Sequence, residues 1–261
     1  WLAVDYLERM NRGQVIELGH RVVVIGGGNS AMDAARCARR QGLEVTIMYR
    51  RGLQDMPCHS HEVEEAVEEG VKLLLLAAPV SMEREADGRL VGIVARHMQP
   101  GLKDSSGRAR PEPVEDSEFH VPADAVITAI AQTPEMTGLE ALKLVHGRLA
   151  PGAACSPTGH ILAGGDACGS GIAGDAIMQG RLAAQRVLSG MRDNGHGQSR
   201  EPPVISKDSV RFATRPSSAA EHSRRALGTE RVLHGMSETT ATITETQFLR
   251  EVERCISCGS C

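Results

Sequence analysis

Residues 22–31 read Val-Val-Val-Ile-Gly-Gly-Gly-Asn-Ser-Ala, so an uninterrupted aliphatic run leads directly into three glycines. Such a run predicts a strand that is buried on both faces of a sheet. The residues after the glycines predict a helix to about Arg40, and Val-Thr-Ile-Met-Tyr at 45–49 predicts a second buried strand. A strand, a helix and a strand within about thirty residues form a β-α-β unit. The sequence therefore predicts the α/β fold class, with a Rossmann-like domain.

Weaker periodic patterns surround this unit. They predict a short amphipathic helix within residues 1–18, a helix at 59–69, a strand at 71–76, hairpin strands at 80–85 and 90–98, a strand at 125–130, a strand at 160–163 and a helix at 173–189. Residues 100–118 and 193–240 predict exposed loops or connectors. Thr244-x-x-Gln247 predicts a capping box that starts a short amphipathic helix.

The composition excludes several classes of protein. The chain has 261 residues, of which 41% are hydrophobic and 24% charged, and this balance is typical of a globular protein. Its net charge is −4, and no basic stripe with interleaved aromatic residues occurs, which argues against a nucleic-acid partner. Residues 71–80, the longest apolar run, are too few to span a membrane. We expect a cytoplasmic protein, and we interpret the chain as a piece of a longer one.

The glycine-rich turn has the pattern Gly26-x-Gly28-x-x-Ala31 between a strand and a helix, which is the context that a dinucleotide site requires. Gly26 allows the tight turn, Gly28 leaves room for a pyrophosphate, and Ala31 lets helix and strand pack closely. The helix N-terminus adds free amides and a partial positive charge. The predicted nucleotide-binding residues are Gly26, Gly27, Gly28, Asn29, Ser30 and Ala31. An ordinary tight turn is the alternative.

Arg50 and Arg51 follow the second strand, where an enzyme that selects NADH would carry an acidic residue for the ribose hydroxyls. Two guanidinium groups at this point favour a 2′-phosphate, because they form charge-assisted hydrogen bonds with it. The sequence therefore predicts NADPH rather than NADH. A solvated basic turn is the alternative interpretation.

A second match to the glycine pattern, Gly169-x-Gly171-x-x-Gly174, has a different context. It follows Gly164-Gly165-Asp166 rather than a strand, and nothing downstream completes a β-α-β unit. We do not interpret it as a second nucleotide fingerprint. Its glycines and the helix after Ile172 could still bring backbone amides against a flat ring such as a flavin.

The seven cysteines do not form a secreted disulfide framework, because their number is odd and four of them are scattered. We predict that those four are small buried side chains. The last three, Cys255-x-x-Cys258-x-x-Cys261, match the first three ligands of a run that binds a [4Fe-4S] cluster. Zinc is the alternative metal, since thiolates at this spacing also hold zinc. In either case a fourth ligand would lie beyond Cys261.

Several stretches, taken in order, resemble the family of the NADPH-dependent glutamate synthase small (β) subunit and its flavin and iron–sulfur relatives. They are VVVIGGGNSAMDAAR (22–36), EVTIMYRRGLQDMP (44–57), EEAVEEGV (64–71), DAVITAIAQTPE (124–135), ILAGGDACGSGIAGDAIMQGRLAA (161–184) and ERCISCGSC (253–261). The resemblance implies an NADPH-binding domain inserted in a split FAD-binding domain. The implied parts are a connector helix at 1–19, the NADPH-binding domain at 20–132, the C-terminal part of the FAD-binding domain at 133–192, a connector with a short helix at 193–254 and the start of an iron–sulfur motif at 255–261.

The resemblance also implies flavin contacts. Asp166, after Gly165, would accept a hydrogen bond from the ribityl chain, and Ile172, Ala173 and Gly174 would start a helix aimed at the pyrimidine edge of the ring. Two departures from the family stand out. The first glycine fingerprint, which holds the FAD pyrophosphate, is absent, so this chain alone should bind FAD poorly, and Ala131 replaces a usual glycine.

The resulting interpretation is an oxidoreductase that transfers hydride from NADPH to FAD and passes electrons to iron–sulfur clusters. Its predicted cofactors are NADPH, FAD and a [4Fe-4S] cluster, and its predicted partner is an electron-acceptor protein or subunit. No acid–base residue is needed for this chemistry. A disulfide reductase is a rival, but residues 1–254 contain no CxxC pair. The other alternative is an NADPH-binding redox sensor or scaffold with a C-terminal zinc site, which visible absorption would distinguish.

Overall fold

The computed structural model describes residues 1–104, 107–130, 137–138, 142, 144–145, 148–149, 161–169, 171, 173–192, 226, 228–233 and 240–254. The chain divides into two units, one formed by residues 1–130 with 217–261 and the other by residues 131–216. The strands of the first unit are β1 (Arg21–Ile25), β2 (Glu44–Tyr49), β3 (Lys72–Leu75), β4 (Ala77–Arg84), β5 (Leu90–Lys103), β6 (Ala109–Pro122) and β7 (Ala125–Thr128). Its helices are α1 (Ala3–Asn11), α2 (Asn29–Arg40), α3 (Ser60–Glu68), α5 (Gly228–Leu233) and α6 (Glu245–Arg254), and α4 (Ala173–Arg192) lies in the second unit.

A parallel sheet with the strand order β3-β2-β1-β7 forms the centre of the first unit. Ile25 at the end of β1 pairs with Met48 on one side and with Thr128 on the other. The carboxyl ends of β1, β2 and β7 therefore lie at one edge, which is where ligands bind in sheets of this kind. The predicted β-α-β unit is confirmed, with β1, α2 and β2 in the expected places.

Side chains of β1 alternate between two apolar layers. Val22 and Val24 pack with helix residues such as Met32 and Ala35 of α2, whereas Val23 packs on the opposite face with Met48 and Val126. Because successive strand residues point to opposite faces, the aliphatic run needs cover on both sides. Helices α1, α2 and α3 contribute to one layer.

The second cover is an antiparallel sheet with the order β4-β5-β6. Its apolar face contributes Ala77, Ile93 and Ala95, which pack with Val23 of the parallel sheet and with Ala123, the residue after β6. The predicted hairpin at Asp87-Gly88 is confirmed, since β4 and β5 flank this turn.

The prediction of a loop at residues 100–118 is wrong. Strand β5 continues to Lys103, and β6 occupies Ala109–Pro122. The region is polar because β6 is an edge strand that pairs only with β5. Such strands tolerate proline and charged residues, and β6 contains Pro111 and Pro113.

A buried ion-pair network joins α2 to the end of α3. The Glu69 carboxylate is fully buried and accepts hydrogen bonds from Arg36 at 2.8 Å and from Arg40 at 2.9 Å. Arg36 also pairs with Glu62 and Glu65 of α3. Burial raises the pKa of Glu69, but the hydrogen bonds and charges of Arg36 and Arg40 outweigh this and leave the pKa below its usual value. The network fixes the two helices beside the sheet.

Other predicted elements agree in part. Helix α4 covers the predicted helix at 173–189, whereas only Leu162 forms a β-bridge among residues 161–163 of the predicted strand at 160–163. The prediction of a loop or connector at 193–240 is wrong at residues 228–233, where α5 lies. The Thr244 capping box is confirmed, with the Gln247 N–H donating to Thr244 Oγ1 at 3.3 Å and the Thr244 N–H donating to Gln247 Oε1 at 2.8 Å.

In the described parts of the chain, no helix combines the length and apolar character needed to cross a membrane.

Candidate functional site

The turn between β1 and α2 is shaped by Gly26. Its φ of +145° lies in the region that favours glycine, and its N–H donates to the Met48 carbonyl at 3.1 Å. A Cβ at this position would collide with the carbonyl group of Ala129, at the end of β7. The chain can therefore make this turn only with glycine, as the sequence pattern predicts.

Gly27 and Gly28 differ in what lies beside them. A Cβ on Gly27 would lie 2.6 Å from Cε2 of Tyr49, because the aromatic ring packs against the turn. Gly28 has an ordinary extended backbone, with φ −90° and ψ 176°, and the nearest atom to a Cβ there would be Pro57 Cγ at 3.9 Å. No described contact of the fold requires a glycine at position 28. The space beside it is open, as the prediction of a pyrophosphate at this point requires.

Four consecutive amides at this turn have no internal acceptor. Among the described residues, none accepts a hydrogen bond from the backbone N–H groups of Gly27, Gly28, Asn29 or Ser30. The N-cap residue is Gly28, which has no side chain to cap the helix, and the first turn of α2 contains no acidic residue. Unpaired N–H groups and the positive end of a helix dipole together form an anion site.

The predicted small residue at position 31 also has the expected environment. Ala31 is fully buried, and its N–H donates to the Gly28 carbonyl at 2.9 Å. It belongs to the same apolar layer as Val22 and Val24 of β1. A larger side chain would separate helix α2 from the strand and shift the amides of the turn.

One neighbour of the turn was not predicted from sequence. The segment after β2 returns to the turn, where the His59 N–H donates to Asn29 Oδ1 at 3.3 Å and Pro57 lies beside Gly28. No spacing rule marks these two residues, because their proximity depends on the path of the chain through the short 3-10 helix Leu53–Asp55.

The two predicted 2′-phosphate ligands have different surroundings. Arg50 is exposed and forms no ion pair with a described residue. Arg51 is buried, with 8% of its surface exposed, and its Nη2 donates to Asp104 Oδ2 at 2.7 Å. Both follow Tyr49, whose ring packs against Gly27, so their backbone lies at the edge of the sheet that carries the turn.

The predicted flavin contacts lie in the second unit. The Gly165 N–H donates to Gln179 Oε1 of α4 at 2.7 Å, and Gly165 has a φ of +66°. Asp166 is exposed, and no described group contacts its carboxylate. Ala173 and Gly174 form the first turn of α4, as predicted, whereas Ile172 lies outside the described residues.

The predicted metal ligands Cys255, Cys258 and Cys261 lie outside the described residues, directly after α6. Cys37, Cys58 and Cys168 are half-buried rather than fully buried. Burial raises the pKa of Cys37 and of Cys58, so both stay protonated near neutral pH. Within the described ranges, no group of His, Cys, Asp and Glu residues is placed to hold a metal ion.

A cleft of about 900 Å³ lies in the first unit and contains none of the predicted site residues. It is lined partly by Gly19, Asp124 and Ala125, which lie at the amino ends of β1 and β7. Because α/β sheets bind ligands at the carboxyl ends of their strands, this cleft is not the nucleotide site.

Comparison with known proteins identifies the family. Residues 1–186 match the family described as pyridine nucleotide-disulphide oxidoreductase. The chain belongs to this family. A curated member, the NADPH-Fe(3+) oxidoreductase subunit beta of Geobacter sulfurreducens, is 30% identical over 293 residues, covering 98% of this chain and 44% of that protein. The glutamate synthase [NADPH] small chain of Escherichia coli is 39% identical over 182 residues, covering 66% of this chain and 39% of that protein.

These relatives confirm the resemblance drawn from the sequence. The present family member spans less than half the length of either relative. A solved structure described as FprA of Mycobacterium tuberculosis in complex with NADPH has a TM-score of 0.55 and 16% identity, covering 67% of this chain and 54% of that one. At this identity the likeness supports the fold alone, and it confirms the predicted α/β class. Family membership also confirms the predicted class of enzyme, an NAD(P)H-dependent oxidoreductase.

Proposed function

We propose that this member of the pyridine nucleotide-disulphide oxidoreductase family takes hydride from NADPH for transfer to FAD, within a protein that passes electrons to iron–sulfur clusters. The observation that carries the proposal is the set of four free amides at Gly27–Ser30 beside the open space at Gly28. A diphosphate has the charge and the acceptor oxygens to use these amides. Two similar proteins carry NADPH in their names.

The residues of the turn bind and orient the nucleotide in this proposal. The amides of Gly28, Asn29 and Ser30 donate to the pyrophosphate, and Gly26 keeps the backbone close to β7. Arg50, which forms no ion pair with a described residue, supplies a guanidinium for the 2′-phosphate, and Arg51 adds a second one that is shared with Asp104. A fixed diphosphate and a fixed 2′-phosphate together set the position of the nicotinamide end.

The second unit supplies groups that fit a flavin. The Asp166 carboxylate is exposed and accepts no hydrogen bond from a described residue, so it is available to a ribityl hydroxyl. Ala173 and Gly174 begin the 20-residue helix α4, whose N-terminus favours negative charge on the ring. We assign Gly165, Asp166, Ile172, Ala173 and Gly174 to FAD, which supplies the hydride acceptor when bound.

The C-terminal cysteines are assigned to a cluster. Helix α6 ends one residue before Cys255, and its start is fixed by the Thr244 capping box. Cys255, Cys258 and Cys261 would supply three thiolates to a [4Fe-4S] cluster. We propose an electron-acceptor protein or subunit as the partner, and the domain limits 1–19, 20–132, 133–192, 193–254 and 255–261 for the chain.

Nucleotide titration tests the proposal. We expect NADPH to bind more tightly than NADH, Arg50→Ala to reduce this preference, and the Arg50→Ala, Arg51→Ala double variant to remove it. Arg12→Ala is the matched control, because Arg12 is exposed on α1 and pairs with Glu8. Equal affinity of the unmodified chain for the two nucleotides would refute the arginine assignment. Iron and acid-labile sulfide in the full-length protein, reduced on Cys258→Ala, test the cluster, because a bound flavin also absorbs visible light.

A further inference from the structure

Arg51 uses only part of its hydrogen-bonding edge. Its Nη2 donates to Asp104 Oδ2 at 2.7 Å, but its Nε is buried and has no acceptor in the described structure. The Nε and Nη2 groups of arginine form a fork that matches two oxygens of one anion. Asp104 therefore accepts a hydrogen bond from Nη2 of Arg51 but none from Nε. A buried donor without an acceptor is unusual in a folded protein.

The position of Asp104 is fixed by the fold. Asp104 lies directly after β5, at the tip of the β5–β6 hairpin, where its N–H donates to the Arg108 carbonyl at 2.8 Å. The same tip is attached to the segment after β2, because the Ala109 N–H donates to Asp55 Oδ1 at 3.3 Å. Tyr49, which contacts the nucleotide turn, donates its hydroxyl to the Asp55 carbonyl at 2.8 Å.

The backbone of Arg51 is also held against this sheet. Its carbonyl accepts the Leu76 N–H at 3.2 Å, and the Leu76 carbonyl accepts the Met98 N–H at 2.7 Å. Leu76 has a φ of +53°, which is uncommon for a residue with a side chain. These contacts hold the Asp104 carboxylate on the guanidinium of Arg51, two residues after the Tyr49 ring that packs against the turn.

The consequence concerns charge at the predicted 2′-phosphate subsite. Of the two guanidinium charges after β2, that of Arg51 is neutralised by Asp104, and only that of Arg50 stays unpaired among described residues. A 2′-phosphate would have to share the Arg51 guanidinium with the Asp104 carboxylate, which already accepts a hydrogen bond from Nη2 and repels a second anion.

We propose that Asp104 is a specificity-determining residue whose carboxylate competes with the nucleotide 2′-phosphate for Arg51 and thereby limits the preference for NADPH over NADH. This inference rests on the proposed function, since it needs the nucleotide at the turn. Asp104 opposes the two arginines, so its removal strengthens binding of the phosphorylated nucleotide. If Asp104 only supported the structure of the site, its removal would weaken nucleotide binding instead.

The experiment measures dissociation constants of NADP⁺ and NAD⁺ by calorimetry for the protein with Asp104→Asn, which removes the charge and keeps the shape. We expect NADP⁺ to bind roughly tenfold more tightly and NAD⁺ to be unaffected. The gain should vanish when Arg51→Ala is added, because the two residues act through one contact. Asp87→Asn is the control, since it makes the same charge change at the other end of β5, roughly 40 Å along the strand from Asp104.

The possible outcomes are distinguishable. In one outcome the unmodified protein prefers NADP⁺, and Asp104→Asn leaves the ratio of NADP⁺ to NAD⁺ affinity unchanged or lowers it. That result overturns this inference and leaves the proposed function intact. An equal gain from Asp87→Asn also overturns it, because the effect would then be one of net charge. Failure of the unmodified protein to bind either nucleotide overturns both proposals. Thermal unfolding of each variant shows whether the hairpin tip is retained, and Asp104→Glu, which restores the charge, should return the ratio to its original value.

Discussion

Gly26 faces the carbonyl oxygen of Ala129 so closely that no side chain fits between them. The two residues lie at the carboxyl ends of β1 and β7, and the Ala129 N–H donates to the Ile25 carbonyl at 2.8 Å. This contact makes the turn at Gly26 part of the sheet rather than a free loop. The amides of the next four residues are therefore held by the core of the domain.

Gly26→Ala should destabilise the protein itself. The substitution combines a collision with backbone and a φ of +145°, which residues with a Cβ rarely adopt. We expect a loss of about 2 kcal/mol or more in the free energy of unfolding, measured by urea denaturation. An alanine variant as stable as the parent would show that the turn can move away from Ala129.

Gly28→Val should weaken nucleotide binding while costing the fold little stability. A Cβ at Gly28 would lie 3.9 Å from Pro57 Cγ, an ordinary contact, and the backbone is extended, so we expect the side chain to cost the fold about 1 kcal/mol. The same side chain would occupy the place of the pyrophosphate, and we expect affinity for NADP⁺ to fall by at least tenfold. Calorimetry measures the affinity, and thermal unfolding provides the control. Unchanged affinity would mean that the diphosphate lies elsewhere.

Glu69→Gln should cost more stability than any exposed glutamate of α3. The substitution leaves Arg36 and Arg40 without the fully buried carboxylate between them, and removing one partner of a buried pair costs about 3 kcal/mol. Glu64→Gln is the matched control, because Glu64 is exposed on the same helix. Denaturant unfolding measures both variants. A loss of similar size in the two would contradict the role given to the network.

The Glu69 carboxylate should also contribute to the loss of stability at acid pH. Because the folded protein lowers the pKa of Glu69, the ionised form contributes stability above the pKa of the unfolded chain, about 4.3. That contribution is lost as the pH falls through the lower pKa of the folded state. We expect stability measured from pH 6 to pH 3 to fall less in Glu69→Gln than in the parent. Parallel curves would show that other groups control acid unfolding.

Local patterns of sequence predicted the elements that are buried on one or both faces. The aliphatic run of β1, the glycine turn and the helix after it follow from adjacent residues, and so does the Thr244 capping box. Strand β6 was missed because an edge strand that is exposed to solvent does not need an apolar pattern. The same holds for the short helix α5, whose six residues give too little periodicity.

The candidate site was only partly predictable, for a related reason. The four amides at Gly27–Ser30 are adjacent in sequence, so the spacing of Gly26, Gly28 and Ala31 predicts their arrangement. The ion pair between Arg51 and Asp104 joins residues that are 53 positions apart, and the approach of His59 to Asn29 spans 30 positions. Contacts of this kind depend on the register of the hairpin and the path of the chain, which no local pattern encodes.

The central claim is that the amides after β1 bind a dinucleotide. Its most direct measurement is titration of the isotope-labelled chain with NADP⁺, followed through the backbone amide resonances by nuclear magnetic resonance. The account predicts saturable shifts that are largest at Gly27, Gly28, Asn29 and Ser30, and their loss in Gly28→Val. Absence of saturable binding, or shifts confined to the cleft near Gly19 and Asp124, would contradict it.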